Sequence, residues 1–190
     1  MLILIAGLVL FLGVHSVAIV APYWRERMGL LMGQLQWKGL YALISLAGFV
    51  VLIWGYALAR QSPLILYTPP SWLRYASFVL MVPVFPLALA AYLPGKIKTA
   101  TRHPLLAATK FWATAHLLSN GSLAAVLLFG SFLAWAVVDR ISLKRRVQTP
   151  VPSLPASAFN DAIAVIGGLA LYVLFIAWLH LWLIGVQPLL

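Results

Sequence analysis

Long apolar runs alternate with short polar breaks along this chain, and the runs are too long and too continuous to be one-sided helices of a soluble core. Six stand out, at about 2–23, 39–59, 72–93, 104–119, 121–138 and 162–186. A helix rises about 1.5 Å per residue, so roughly 20 apolar residues cross the hydrocarbon layer of a bilayer. The pattern predicts an all-α fold: a polytopic membrane helical bundle of about six transmembrane helices in one integral domain, 1–190.

Breaks within the runs predict local features. The fourth and fifth runs are barely long enough to cross, about 26 Å each if their stretch is halved. Ser119, Asn120 and Gly121 separate them with residues that favour a tight turn, so a helical hairpin is expected there. Pro83 and Pro86 remove backbone donors from the third run and predict a kink. Gly7 and Gly13 in the first run, with Gly167 and Gly168 in the sixth, would permit close helix contact. No Lys or Arg precedes the first run, which therefore reads as a retained helix rather than a cleaved leader. The stretch 142–160 carries Lys144, Arg145, Arg146, Pro150, Pro152 and Pro155, and reads as a polar linker.

Composition agrees with the pattern: 64% of residues are hydrophobic and 8% charged, with a mean hydropathy of +1.01. Charge adds orientation. Arg25, Arg27 and Lys38 follow the first run, Lys96, Lys98 and Arg102 precede the fourth, and Arg140, Lys144, Arg145 and Arg146 follow the fifth. The opposite side has Arg60 and Arg74, while Lys110 lies inside the fourth run. The positive-inside rule then places the basic loops in the cytoplasm and both termini on the non-cytoplasmic side of a cytoplasmic membrane. A net charge of +10 needs no nucleic-acid partner, because an anionic lipid bilayer attracts such loops.

Candidate chemistry narrows to histidine. With no cysteine, disulfides, iron-sulfur clusters and thiolate ligands are excluded. The three acids, Glu26, Asp139 and Asp161, lie at or beyond the ends of apolar runs, which argues against a carboxylate-bridged metal centre. Of His15, His103, His116 and His180, only His15 and His116 reach similar depth in the bilayer from different helices. Two such imidazoles are what a six-coordinate b-type haem needs, with Phe11, Leu12, Ile19, Trp112 and Ala113 as neighbours. The same spacing suits two histidines hydrogen-bonded to backbone carbonyls or hydroxyls, with Ser16 and Thr114 as local partners. Arg102 and His103, ahead of Pro104, sit where an anion such as a haem propionate, a lipid phosphate or a cofactor carboxylate would bind, and Lys110 could serve it too. His180, between Trp178 and Trp182, reads as part of an interfacial aromatic belt.

One ordered set of motifs resembles a known family. It comprises Arg102-His103-Pro104, the run from Phe111 through Trp112 and His116 to Gly121, Leu128-Phe129-Gly130 and Asp139-Arg140. His15-Ser16, Gly39-Leu40-Tyr41 with Ser45, and Tyr67-Thr68-Pro69-Pro70 extend it over nearly the whole chain. The set resembles the NnrU family of bacterial membrane proteins. That resemblance implies a link to denitrification and nitric-oxide metabolism, and kinship with the 15-cis-zeta-carotene isomerase, a membrane enzyme that uses haem b. It also implies that His15 and His116 match the isomerase's haem ligands, the second in its Trp112-x-x-x-His116 helix, and such a haem would have Trp112 beside it and Arg102, His103 or Lys110 near its propionates. One departure stands out: Ala113 occupies the position of the isomerase's cysteine and cannot ligate iron, which puts isomerisation in doubt. Ser122 replaces the family's frequent acidic residue after Asn-Gly.

The resulting expectation is a haem b protein with a redox, sensing or isomerase-like role, acting with a redox partner or on an apolar small-molecule substrate entering from lipid. Two rivals stay open. The Arg-His-Pro step also resembles that of membrane methyltransferases, where it helps bind S-adenosylmethionine, and a cofactor-free membrane assembly factor would need the histidines only for packing.

Overall fold

Glycine and proline decide how these helices meet and where they break. The computed structural model describes residues 1–146 and 152–189. In order, the helices are α1 (Leu2–Val20), α2 (Pro22–Met32), α3 (Gln34–Ala59), α4 (Leu73–Met81), α5 (Val84–Ala90), α6 (Lys96–Thr101), α7 (Pro104–Ser119), α8 (Leu123–Ser142) and α9 (Asn160–Leu174). A π-helical turn, Phe175–Leu179, leads from α9 into α10 (His180–Ile184). Among the described residues, five stretches are long and apolar enough to cross a membrane: Leu2–Val20, Gln34–Ala59, Leu73–Ala90, Leu123–Ser142 and Asn160–Ile184. The sixth expected span, α7, has 16 residues and is the short one. The protein is an all-α, multi-pass membrane protein, and large side chains such as Leu43, Trp54 and Ile166 turn outward where lipid would cover them.

The chain forms two compact units, Met1–Pro69 with Ser119–Gln148, and Pro70–Leu118 with Thr149–Leu190. In the first, α1 lies along α3 and also meets α8. The close approach is made by glycine: a Cβ at Gly7 would strike the Leu52 backbone, one at Gly48 that of Phe11, and one at Gly55 that of Leu4. Gly13, expected to share this role, faces open space. The chain leaves α1 three residues earlier than its apolar run suggests and forms α2, a helix started by Pro22 that carries Arg25, Glu26 and Arg27. Gly33 then turns the chain at φ 86° into α3, which begins at Gln34, well before the run at 39.

The turn before α8 is clamped to the segment after α3. Amides of Leu66 and Tyr67 donate to the Gly121 carbonyl at 2.8 and 3.2 Å, and the Leu123 amide donates to Leu64 at 2.8 Å. The expected break at 119–121 is therefore present. Ser122 caps α8, its Oγ accepting from the Ala125 amide at 3.2 Å. At the other end of α8, the half-turn beyond Ser142 brings Arg146 onto buried Asp139 at 2.6 Å.

In the second unit α5 packs on α9. Gly168 allows this, because a Cβ there would collide with Pro86, whereas Gly167 meets only a Leu89 methyl. The expected kink falls between α4 and α5, where Pro83 caps the new helix. Ser77 on α4 donates to the Ala115 carbonyl of α7 at 2.8 Å, and Tyr172 on α9 donates to the Phe78 carbonyl at 2.9 Å. Neighbouring residues of α4 thus anchor both partners. Short α6 is set by Asp161, whose carboxylate accepts from the amides of Lys96 at 2.8 Å and Ile97 at 3.1 Å. Asn160 donates to the carbonyls of Pro94 and Pro155. That ties down the described part of the 142–160 linker, whose Pro150 lies outside the described residues.

Candidate functional site

His15 lies on the last turns of α1 in the first unit. Its Nδ1 donates to the Phe11 carbonyl at 2.6 Å, one helical turn back. A carbonyl only accepts, so the ring proton is on Nδ1 and the lone pair of the neutral imidazole is on Nε2. Ser45 of α3 places its Oγ 3.5 Å from that nitrogen. The Phe11 ring lies 4.3 Å from the imidazole, Tyr41 stands edge-on at 5.4 Å, and Trp135 of α8 stands edge-on at 6.0 Å. Three helices thus converge on one histidine. Ser16, the local partner expected for it, instead bonds the Leu12 carbonyl at 2.7 Å.

Trp135 supplies an observation that spacing could not. Its Nε1 is buried and has no hydrogen-bond partner among the described residues. A buried indole N–H without an acceptor costs free energy, about 1–3 kcal/mol, so it marks a place where an acceptor is wanted. The residues missed in the sequence are Trp135 and the contact roles of Tyr41 and Ser45. The last two lie in the Gly-Leu-Tyr motif and its following serine, which carried a family signal without a stated role.

His116 lies on α7 in the second unit and repeats the arrangement. Its Nδ1 donates to the Trp112 carbonyl at 2.8 Å, again one turn back, so its lone pair too is on Nε2. Thr114 is not the partner. Trp112 itself packs against the buried cluster of Val84, Leu87 and Ala108. Ala113 is fully buried. His180 stands within electrostatic reach of His116, and its own Nδ1 donates to the Val186 carbonyl at 2.7 Å.

The Arg102-His103-Pro104 step is bent. Arg102 takes φ 60° and ψ −41°, and the His103 amide donates across it to the Thr101 carbonyl at 2.7 Å. This is a γ-turn of the strained kind, with a non-glycine residue at positive φ. It holds Arg102 exposed at the head of α7, with His103 half-buried behind it. Lys110 is elsewhere. Six residues before His116, it is turned about 120° away round the helix, and it lines a groove with Leu80, Ala107, Phe111 and Thr114. Among the described residues no group of three or more His, Cys, Asp or Glu side chains could hold a metal ion by itself.

One family model, described as NnrU protein, matches residues 3–188. The chain belongs to the NnrU family. The match runs through every motif named above, from His15-Ser16 to the last helices. No curated protein and no solved structure matches the chain.

Proposed function

We propose that this member of the NnrU family is a haem b protein of the bacterial cytoplasmic membrane, in which His15 and His116 would hold the haem, with a redox or sensing role linked to nitrogen oxides. The observation that carries the reading is the pair of matched ring orientations: each Nδ1–H is held by the carbonyl one turn back. That is the backbone support that metal-bound imidazoles use, since it fixes the tautomer and orients Nε2 as the ligating atom. The orphaned Trp135 indole beside His15 adds a donor suited to a carboxylate or carbonyl edge of such a group.

Bound haem would supply one-electron chemistry there, held through the imidazoles of His15 and His116. The chain's own residues do the rest. Phe11 and Tyr41 pack against the His15 ring. Ser45 must release Nε2 for ligation, a small cost because a 3.5 Å contact is a weak hydrogen bond. Arg102 and His103, presented by the γ-turn, suit the propionates.

The test is an optical spectrum of the purified protein. A Soret band with sharp reduced α and β bands, weakened or altered in both His15→Ala and His116→Ala, supports the reading. A colourless protein from haem-sufficient cells that stays colourless after haem is added overturns it.

A further inference from the structure

Lys110 lies within α7 and takes no part in the site above. It lies seven residues along α7 from His103, about 10 Å from the polar head of the helix, in a stretch with no other Lys, Arg, Asp or Glu. Residues 103, 107, 110 and 114 recur at helical spacing and form one stripe. Where that stripe faces α4, Leu80, Ala107, Lys110, Phe111 and Thr114 line a groove of about 350 Å³. Phe111 is 38% exposed, so the groove opens outward, where the membrane would be.

Two polar groups in this groove lack partners. Among the described residues neither the Lys110 ammonium nor the Thr114 hydroxyl has a hydrogen bond or ion pair. Thr101 and Thr109 show the alternative, each turning its hydroxyl onto the carbonyl four residues back. A lone ammonium beside hydrocarbon is costly unless it reaches an anion or the interface. A long side chain on a helix leans back toward the helix start, which would carry Nζ of Lys110 toward headgroup level. Thr114 lies one turn deeper, about 6 Å along the axis.

We propose that the groove between α4 and α7 binds one anionic phospholipid, its phosphate paired with Nζ of Lys110 and an acyl chain lying on Leu80 and Phe111. The Thr114 hydroxyl then meets a glycerol ester carbonyl, which lies deeper in the bilayer than the phosphate. The vertical order, cation above and hydroxyl below, matches a molecule with an anionic group and a second acceptor beneath it. A free fatty acid has only one such group.

Native mass spectrometry of the full chain, released from phosphatidylcholine nanodiscs containing a minor share of phosphatidylglycerol, tests this. Wild type and Lys110→Arg should keep one phosphatidylglycerol adduct. Lys110→Gln should lose it by about fivefold, the equivalent of about 1 kcal/mol for one lysine on an anionic lipid. Ala107→Phe, which fills the groove with the charge intact, should lose it as well. Lys96→Gln should keep it, separating this site from general attraction to the basic loops. Equal retention in Lys110→Gln, equal retention of phosphatidylcholine, or replacement of the adduct by added oleate overturns the proposal.

Discussion

Ser45 on α3 holds its Oγ 3.5 Å from Nε2 of His15 on α1, thirty residues away in the chain. The contact satisfies the imidazole when nothing else does, and it stands where a metal would have to bind. Removing either partner therefore has opposite consequences. In Ser45→Ala the reduced α band should persist, because Nε2 remains available and Nδ1 stays on Phe11. His15→Ala should lose or shift the band. Reduced-minus-oxidised spectra of the two variants decide the point, and loss in Ser45→Ala alone would assign ligation to the serine's surroundings instead.

His116 and His180 belong to the same unit, and both hold Nδ1 on a carbonyl. They differ in where those carbonyls lie. His116 uses its own helix, whereas His180 reaches forward to Val186, beyond the end of α10. His116→Ala should weaken or alter the haem spectrum and His180→Ala should leave it unchanged. The reverse pattern, with loss in His180→Ala and retention in His116→Ala, would move the second ligand to His180.

The turn into α8 depends on one missing side chain. A Cβ at Gly121 would collide with the Tyr67 carbonyl, which is backbone and cannot swing aside. Gly121→Ala should destabilise the protein by about 1–3 kcal/mol or more, the usual cost of overpacking. Gly13→Ala, with nothing within 4 Å of the new methyl, should change little. Detergent-solubilised thermal unfolding, read by circular dichroism, should separate the two.

Asp161 closes a link across 65 residues, accepting from the Lys96 amide at 2.8 Å and the Ile97 amide at 3.1 Å. Asp161→Ala leaves two amide donors without their acceptor. A loss of about 1–3 kcal/mol is expected, with earlier hydrogen exchange at 96–97 than elsewhere in the unit. Asp161→Asn keeps one acceptor oxygen and should fall between the two. Unchanged exchange in the alanine variant would mean that α6 is held by its packing on α5 instead.

The helical spans were legible in the sequence because lipid demands unbroken apolar length, a property that is written residue by residue. Punctuation was equally readable: Ser119-Asn120-Gly121 separates α7 from α8, and Pro83 separates α4 from α5. Helices α2 and α6 were not, since short polar helices leave no apolar run to find. Of the two glycine pairs, helical position alone could not tell Gly7 from Gly13 or Gly168 from Gly167. Only one of each meets another backbone.

The candidate site divides in the same way. Chemistry by elimination, with no cysteine and three peripheral acids, singled out His15 and His116 from the sequence. Their carbonyl partners four residues back are local, and helical spacing could have named them. Ser45, Tyr41 and Trp135 reach His15 from other helices, and Lys110 lines a groove with Leu80 of α4. Periodicity tells which side of a helix a residue occupies; which neighbour that side meets is decided only when the helices pack.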